Sequence, residues 1–356
     1  MLYALTLNRA YNSLMESDRL PASVATLYAE LLELSLLHER LVGIEGQLPG
    51  GIVGKSIRGR RYLYWQVRKG DQVAQHYLGP DSEELRRTLD RIAKKRLESA
   101  GQRVAMDRLA AMLIRGGALR EQPAVAGVLS LLADLGLFRR GAVVVGTQAF
   151  RTYGGMLGVR LPSASLRTQD IDVAHRIDLA IAAAPEGAPD VEGSLARLGF
   201  LAVPGLDPRE PSTSFMMRRG ELRLDFVTPA PRRPAEAPVT VPGLGVAAWP
   251  LRFLEYLIEE PVPALVLGAR PTLVRVPRPG RFALHKLFTA SQRPAAEQTK
   301  AAKDRVQAAA LIAVLAGDRP DDLGEALAAL AARPSARRRV TKELGRLPAE
   351  CRAWLA

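Results

Sequence analysis

The sequence has little cysteine, few aromatic residues and no long apolar run. One cysteine among 356 residues, Cys351, excludes an internal disulfide framework and a zinc site built from cysteines. Apolar runs such as residues 308–316 are about half the roughly 20 residues that span a bilayer, so we expect no membrane association. Residues 1–17 lack a basic segment followed by a long apolar one, so we expect no secretory signal and a cytoplasmic protein.

Positive charge is abundant and unevenly distributed. The chain has 50 Lys and Arg against 37 Asp and Glu, a formal net charge of +13. Residues 51–120 contribute 16−7 = +9 and residues 231–356 contribute 20−12 = +8, whereas residues 121–230 contribute 11−12 = −1. Two basic segments around a near-neutral middle favour a polyanionic partner, nucleic acid first. A general bias toward arginine is the alternative explanation.

Hydrophobic periodicity predicts an α+β protein with three regions. We expect a helical N-terminal region at 1–137 and a small mixed β-sheet core at 138–230. A helical C-terminal domain follows at 231–356. Within the first region, a period of two and a turn signal predict a small β-hairpin at about 51–79.

Individual elements follow from the same periodicity and from breaker residues. The predicted strands are 142–145, 170–173, 214–217 and 221–227. The predicted helices are 3–46 (one helix or a helical hairpin), 83–99, 104–115, 123–137, 148–157, 192–198, 250–259, 279–291, 297–316, 323–332 and 335–347.

The predicted hairpin combines basic and aromatic residues. Tyr62, Tyr64 and Trp65 lie among its strand residues. Stacking of nucleic-acid bases and the ordinary need of a small hairpin for aromatic packing explain them equally well. The candidate nucleic-acid-binding residues are the basic residues of this segment: Arg58, Arg60, Arg61, Arg68 and Lys69.

Three carboxylates on predicted strands are the strongest chemical signal. Asp170 and Asp172 are two residues apart on one strand and therefore share a face, and Asp225 lies opposite the apolar face of a later strand. Like charges so close repel each other unless they are solvated or hold a divalent cation. Carboxylates from neighbouring strands suit two Mg²⁺ ions in a phosphoryl-transfer site. Two solvated surface aspartates are the alternative interpretation of Asp-x-Asp.

A second signal is an apolar strand that ends in Gly146 and Thr147 before a predicted helix. Backbone N–H groups at a helix start, together with a threonine hydroxyl, form a suitable site for a phosphate. An ordinary strand-to-helix turn would also favour glycine, so the motif alone leaves both interpretations open.

Taken in order, these motifs resemble the DNA polymerase β-like nucleotidyltransferase superfamily. Within it, the sequence is most similar to bacterial stand-alone nucleotidyltransferase-domain proteins, including toxin-type relatives. The resemblance covers about residues 140–228. It implies a fold with a small mixed sheet, a nucleoside triphosphate (NTP) as substrate and two Mg²⁺ ions as cofactors.

The resemblance also implies roles for single residues. Gly146 and Thr147 would contact nucleotide phosphates, and Asp170 and Asp172 would bind metal. Asp225 would bind metal or assist deprotonation of the attacking hydroxyl. Thr147 stands where the superfamily usually has Ser or Gly, and the segment between Thr147 and Asp170 is longer than the commonest spacing.

Basic residues in the C-terminal helices resemble the lysine and Lys-Asp pattern of toxin-type relatives. Lys286 and Arg293 lie seven residues apart, nearly on one helical face, and Lys303 precedes Asp304 on the next helix. Lys286, Arg293 and Lys303 are therefore candidate nucleotide-binding residues. A solvated basic face is the alternative for Arg293.

Together, the residues and the resemblance predict an enzyme that transfers NMP from NTP to an acceptor and releases pyrophosphate. The basic segments favour RNA, tRNA in particular, as the acceptor, and the toxin-type resemblance suggests a toxin-like role with an antitoxin partner. The alternative function is a catalytically inactive scaffold of the same fold that binds nucleic acid or a partner protein.

Overall fold

The computed structural model describes residues 19–42, 51–69, 72–162, 169–176, 189–205, 210–230, 237–242, 244–349 and 351. The chain divides into two compact units. We call residues 30–109 the sheet unit and the remainder of the chain the core unit. The sequence-based domain limits at residues 137 and 230 stay a prediction.

The helices, α1 to α10 in chain order, are Ala22–Val42, Glu83–Arg115, Pro123–Asp134, Gly146–Leu157, Val191–Arg197, Leu254–Ile258, Pro279–Gln292, Gln298–Asp318, Pro320–Ala331 and Pro334–Leu344. The strands, β1 to β12 in chain order, are Gly51–Ile57, Arg60–Lys69, Gln72–Pro80, Val143–Val145, Asp170–Ala174, Phe200–Ala202, Ser214–Met217, Arg223–Pro229, Val239–Val241, Val246–Leu251, Val262–Leu267 and Pro271–Val276. This mixture of helices and small sheets confirms the predicted α+β class. No helix in the described ranges combines the length and the apolar composition that crossing a bilayer requires.

The central sheet of the core unit has the strand order β4-β5-β8-β10-β9. Strands β5, β8 and β10 run parallel, and β4 and β9 are antiparallel to their neighbours. Strand β7 pairs antiparallel with β8, and β6 pairs antiparallel with β7. Because β5 and β8 are parallel neighbours, the segments that carry the predicted carboxylates lie side by side.

Aromatic packing places α4 against α7. The ring of Phe282 on α7 stacks on Phe150 of α4 at 6.0 Å and meets Tyr153 of α4 edge-on at 5.3 Å. All three side chains are fully buried, and the Tyr153 hydroxyl donates a hydrogen bond to the Pro277 carbonyl oxygen at 2.8 Å. Burial of large aromatic side chains is worth several kcal/mol in total, so these two helices have a well-defined contact.

The segment 250–259, predicted as a helix, is the end of β10 followed by the short helix α6. Pro250 lies opposite Thr228 of β8 and is buried. Phe253 then adopts a left-handed conformation with φ of 64° before α6 begins. Residues 250 and 251 are extended in spite of the helical sequence pattern, because burial beside β8 favours an extended chain.

The hairpin of β11 and β12 and the strand β9 were also not predicted. Strand β11 begins at Val262, directly after one proline, and contains another, Pro263, and prolines weaken a strand signal. The turn between β11 and β12 follows at Gly268, and the two strands pair from Val262 with Val276 to Leu267 with Pro271.

The two helices predicted over 83–99 and 104–115 are one helix, α2. Gly101, the expected break, lies within it and a side chain there would meet nothing within 4 Å. A single exposed glycine costs a helix about 1 kcal/mol relative to alanine, which is too little to end a helix of this length. Of the predicted helix at 3–46, the structure describes α1; residues 1–18 and 43–50 lie outside the described ranges.

In the sheet unit, the predicted hairpin is extended by a third strand. β1, β2 and β3 form an antiparallel sheet in that order. Arg58 and Gly59, with φ of 50° and 78°, connect β1 to β2. Positive φ at both central residues matches the turn that suits the twist of a two-residue hairpin. The second predicted turn includes residues 70 and 71, which lie outside the described ranges.

Candidate active site

The register of β5 and β8 brings two of the predicted carboxylates together. Asp172 pairs with Asp225 on the parallel neighbouring strand, and Asp170 pairs with Arg223. The intervening Ile171 and its partner on β8 are fully buried in the core. Since side chains alternate along a strand, Asp172 and Asp225 occupy one face of the sheet, about 5 Å apart at the backbone.

The electrostatics of Asp172 reflect this crowding. Burial, then the charge of Asp225 and that of Asp170 raise the pKa of Asp172 to about 6, against the opposing charges of Lys286 and Arg223. A raised carboxyl pKa means that the ionised form is disfavoured in this environment. The site therefore has an excess of negative charge that a cation would compensate.

Asp225 is fixed by two neighbours that the sequence analysis did not identify. Arg223 donates from Nε to Asp225 Oδ1 at 2.8 Å and from Nη2 to the Ser214 hydroxyl at 2.9 Å. The Ser214 hydroxyl in turn donates to the same Oδ1. The signal for Arg223 was available, because residues two apart on a strand share a face. These contacts leave Oδ2 of Asp225 without a hydrogen-bond partner among the described residues.

Gly146 is the point where β4 meets this carboxylate pair. The preceding residue, Val145, pairs with Asp172, and Gly146 has φ of 64°. A Cβ atom on Gly146 would lie 2.3 Å from Oδ2 of Asp172, closer than any real contact. Glycine is therefore required here by both the backbone conformation and the approach to Asp172.

Helix α4 begins at this glycine without a side-chain cap. The Thr147 hydroxyl makes no hydrogen bond within the part of the chain that the structure describes. Uncapped N–H groups at the start of a helix of 12 residues are suited to bind an anion. The structure thus places the predicted phosphate turn directly beside Asp172.

Gln148, in the first turn of α4, was not predicted. It is 3% exposed, its Nε2 lies 3.5 Å from the Asp170 carbonyl oxygen, and its Oε1 has no hydrogen-bond partner. A buried amide in this position connects the start of α4 with the start of β5. Leaving the amide oxygen unsatisfied costs about 1–3 kcal/mol, which indicates that packing alone does not explain the residue.

Lys286 of α7 and Arg293, the residue that follows α7, converge on one buried carboxylate. Asp304 of α8 accepts hydrogen bonds from Lys286 Nζ at 2.7 Å and from Arg293 Nε at 3.2 Å. Arg293 also donates to Glu297 at 2.8 Å. Lys286 is close enough to Asp172 for its charge to oppose the rise in that carboxyl's pKa. Asp304 therefore anchors a basic side chain whose charge acts on Asp172.

Lys303 adds a further positive charge. Burial and the charge of Lys286 lower the pKa of Lys303, the charges of Asp304 and Asp170 oppose that shift, and Arg151 of α4 contributes to it. Arg151, which was not predicted, donates to Glu121 at 2.6 Å in a largely buried pair. Lys303 is thus close enough to Asp170 and to the guanidinium of Arg151 for both charges to shift its pKa.

The donor chemistry of the site suits a hard divalent cation. Three aspartates supply only oxygen ligands, which Mg²⁺ prefers, and burial together with the charges of Asp225 and Asp170 raises the pKa of Asp172. Within the described ranges, no group of three or more His, Cys, Asp or Glu side chains already has metal-site spacing. Asp172 and Asp225, which pair in register, are the best-placed ligands, and Asp170 is exposed beside them.

The predicted nucleic-acid-binding residues lie in the sheet unit. Arg58, Arg60 and Arg61 are exposed at the turn between β1 and β2. Arg68 and Lys69 are at the opposite end of β2, and of their side chains the structure describes nothing. Arg61 lies 3.5 Å from the carboxylate of Asp81 and therefore forms an ion pair within the sheet unit.

Comparison with known proteins identifies the family. The sequence profile of a nucleotidyltransferase family matches residues 123–332. No curated protein matches the sequence. Among solved structures, the chain is similar to an antigenic nucleotidyltransferase-like protein from Paracoccidioides brasiliensis, with 12% identity, 63% of this chain and 94% of that chain covered, and a TM-score of 0.31. Because the family profile covers more than half of the chain, the protein belongs to this nucleotidyltransferase family.

Proposed function

We propose that the protein is a Mg²⁺-dependent enzyme that transfers NMP from NTP to a hydroxyl group of RNA and releases pyrophosphate. Family membership supports nucleotidyl transfer in general. The observation that carries the proposal is the pairing of Asp172 with Asp225 beside the glycine at the start of α4. This arrangement puts metal-binding oxygens next to a phosphate-binding helix terminus.

In this proposal Asp170, Asp172 and Asp225 hold two Mg²⁺ ions. When bound, the ions would compensate the charge of the triphosphate and stabilise the charge that develops during transfer. The carboxylates would hold the ions in place and in this way determine where the phosphates of the nucleotide lie. The raised pKa of Asp172 supports the proposal, since a divalent cation would restore its ionised form.

The start of α4 binds the phosphate chain. The N–H groups of the first helical turn donate to phosphate oxygens, and the Thr147 hydroxyl adds a further donor. Gly146 permits this approach because a side chain would collide with Asp172. The turn therefore acts as a positioning device for the nucleotide.

The basic side chains of α7 and α8 bind the outer phosphates. Lys286 and Lys303 bring positive charge to the carboxylates, and Asp304 fixes the orientation of Lys286. Arg293 belongs to the same proposed group of phosphate ligands, with its guanidinium held by Asp304 and Glu297 in the structure. Charge-assisted contacts of this kind neutralise the leaving pyrophosphate.

Asp225 is the proposed acceptor of the proton from the attacking hydroxyl. Its Oδ1 is held by Arg223 and Ser214, which orients the carboxylate. The other oxygen, Oδ2, would be available to bind metal and to accept the proton. A carboxylate fixed through one oxygen has the orientation that general base catalysis requires.

RNA, and tRNA in particular, is the proposed acceptor because of the charge of the sheet unit. Residues 51–80 contain six Lys and Arg and one acidic residue. The proposed RNA contacts are the predicted basic residues: Arg58, Arg60, Arg61, Arg68 and Lys69. A toxin-like role with an antitoxin partner is part of the same proposal. A catalytically inactive scaffold is the second candidate, but such a scaffold has no need to keep three mutually repelling carboxylates together.

The test is transfer of label from each α-labelled NTP, with Mg²⁺, into the total RNA and protein of a cell lysate. We expect a labelled RNA band that is absent with the Asp170→Asn/Asp172→Asn double variant and absent when Mg²⁺ is chelated. Label in a protein band would replace RNA by a protein acceptor. RNA binding that ignores both Mg²⁺ and NTP, without any label transfer, would favour the inactive scaffold.

A further inference from the structure

The three-stranded sheet of the sheet unit has two unlike faces. Along β2, Tyr62 and Tyr64 point to one face and Leu63 to the other. The register places Lys55 opposite Tyr62 and Tyr77 opposite Tyr64, so both join the first face. Leu63 is 6% exposed, whereas Tyr77 is 58% exposed. We call the face that carries Tyr62, Tyr64 and Tyr77 the tyrosine face.

The rings of this face form one continuous aromatic surface. Tyr77 lies 6.1 Å from the ring of Tyr62 and 5.5 Å from that of Tyr64, measured between ring centroids. Lys55 Nζ lies 5.1 Å from the centroid of Tyr64. Tyr62 and Tyr64 are half-buried, and Tyr77 adds an exposed ring beside them. A ring that served only to stabilise the sheet would be expected to be buried, so the exposure of Tyr77 indicates a binding surface.

The charges around the rings are positive. Arg60 shares the tyrosine face, because it is two residues from Tyr62 on β2, and it is exposed. It forms no ion pair with another residue of the described ranges. Arg61, on the opposite face, is instead paired with Asp81. The tyrosine face therefore presents aromatic rings and at least two cations, Lys55 and Arg60.

Cations beside the exposed ring of Tyr77 and its two half-buried neighbours are complementary to a single nucleic-acid strand. Its phosphates attract the cations, and its unpaired bases offer flat surfaces that stack on aromatic side chains. A duplex hides its bases in its own stack, and an acidic peptide would use the cations without the rings. The combination of both features favours a single strand over either partner.

We propose that the tyrosine face binds single-stranded RNA by stacking bases on Tyr77 and its two neighbouring tyrosines. Lys55 and Arg60 would bind the adjacent phosphates. The inference rests on the proposed function only in the choice of RNA over DNA. It assigns base recognition to an aromatic surface, whereas the basic residues alone would recognise only the backbone.

The experiment uses two fluorescent probes of about 12 nucleotides: oligoadenylate RNA and an abasic ribose-phosphate strand with the same charge. Anisotropy titrations are made with the full chain and without NTP. We expect oligoadenylate to bind about tenfold or more tightly than the abasic strand. Tyr77→Leu, which keeps an apolar side chain but no ring, should weaken oligoadenylate binding by about 5- to 150-fold and leave the abasic strand unchanged.

Two matched variants complete the design. Tyr77→Phe keeps the ring and should bind oligoadenylate as the wild type does. His76→Ala changes the neighbouring exposed residue on the opposite face and should have no effect on either probe. Thermal unfolding of each variant verifies that the sheet is intact, and Tyr77→Phe supplies the comparison if Tyr77→Leu unfolds.

Equal affinity of the wild type for the two probes would overturn the inference, as would wild-type affinity of a folded Tyr77→Leu variant. An RNA duplex of the same length that competes as well as oligoadenylate would also contradict it. The titration is repeated with Asp172→Asn, which tests RNA binding apart from NMP transfer. Preference for oligoadenylate without label transfer by the wild type would support RNA binding by the tyrosine face and contradict the proposed enzyme. Label transfer to RNA without that preference would support the enzyme and contradict base stacking on the tyrosine face.

Discussion

The core sheet and the three-stranded sheet use charge in opposite ways. In the core unit, Asp172 and Asp225 are neighbours in register, and burial raises the pKa of Asp172. In the sheet unit, Arg60 and Lys55 lie on an exposed face beside aromatic rings. In both sheets, the alternation of side chains along the strands places groups of like charge on the same face. Burial then decides whether the charges interact mainly with each other, as at Asp172, or with solvent, as at Arg60.

The largest effect is expected from a substitution of Asp172 in the core unit. Asp172→Asn keeps the shape of the side chain and removes one charge, so NMP transfer should fall by about a thousandfold, equivalent to about 4 kcal/mol. The free energy of unfolding should stay the same or increase, because repulsion from Asp225 is removed. Label transfer and urea unfolding measure the two quantities.

Asp107→Asn, a change of an exposed aspartate in the sheet unit, is the matched control and should alter neither quantity. Wild-type transfer by Asp172→Asn would remove Asp172 from the metal site.

The next largest effect is the loss of stability when a buried ion pair is broken, compared with the loss when an exposed pair is broken. Asp304→Asn leaves Lys286 and Arg293 without their shared carboxylate and should destabilise the fold by about 3 kcal/mol. Glu83→Gln breaks the exposed pair with Arg87 in the sheet unit and should cost a few tenths of a kcal/mol, as exposed pairs do. Urea unfolding with unchanged m-values makes the comparison, and equal losses would contradict it.

A smaller effect depends on pH. Burial and the charge of Lys286, opposed by Asp304, lower the pKa of His285 from 6.5 to about 3. Between these values the unfolded chain binds a proton that the folded chain does not, so stability should fall as pH decreases from 6.5 toward 3. Uptake of one proton on unfolding lowers the free energy of unfolding by at most about 1.4 kcal/mol for each pH unit.

His285→Phe keeps the aromatic contact with Phe253 and cannot take up the proton, so its stability should vary less over that pH range. His76→Phe, at the exposed histidine of the sheet unit, should follow the wild-type slope. Chemical unfolding at several pH values measures the slopes, and identical slopes for His285→Phe and the wild type would contradict the assignment.

The smallest effect on stability, with a measurable effect on binding, is expected at the exposed arginines. Arg58→Glu/Arg60→Glu should change the free energy of unfolding by less than about 0.5 kcal/mol. It should weaken RNA binding and reduce the salt slope by roughly 0.7 for each lost phosphate contact, with NTP binding unchanged. Arg103→Glu/Arg108→Glu makes the same change of net charge on α2. Equal weakening by both double variants would show that net charge alone governs RNA binding.

Much of the core was predictable because its signals are local. Alternation predicted the strands of Asp170 and Asp225, and the helical pattern predicted α7 with Lys286. The last two residues of β10, 250 and 251, were predicted as the start of a helix, because β10 is extended through pairing with β9 at residues 246–248 and with β8 at residues 249–251, contacts that the local sequence does not reveal. The division of α2 was wrong because one glycine is a weak breaker in a long helix.

The supporting residues of the candidate site were harder to predict. Ser214 holds Asp225 and Asp304 holds Lys286 through contacts between different strands or helices. Nothing in their local sequence distinguishes such residues from ordinary polar ones. Only Arg223, two residues before Asp225, had a local signal.

By itself the sequence determined the α+β class, the identity of the carboxylates and the glycine turn, and the basic character of residues 51–120. These features depend on residue type and on spacing along the chain, which local geometry converts directly into faces. The tertiary structure decided that Asp172 meets Asp225 in parallel register, that Gly146 must lack a side chain, and that Tyr77 is exposed beside the rings of Tyr62 and Tyr64. Those outcomes depend on which strands pair and which faces are buried, and both are set by contacts between distant segments.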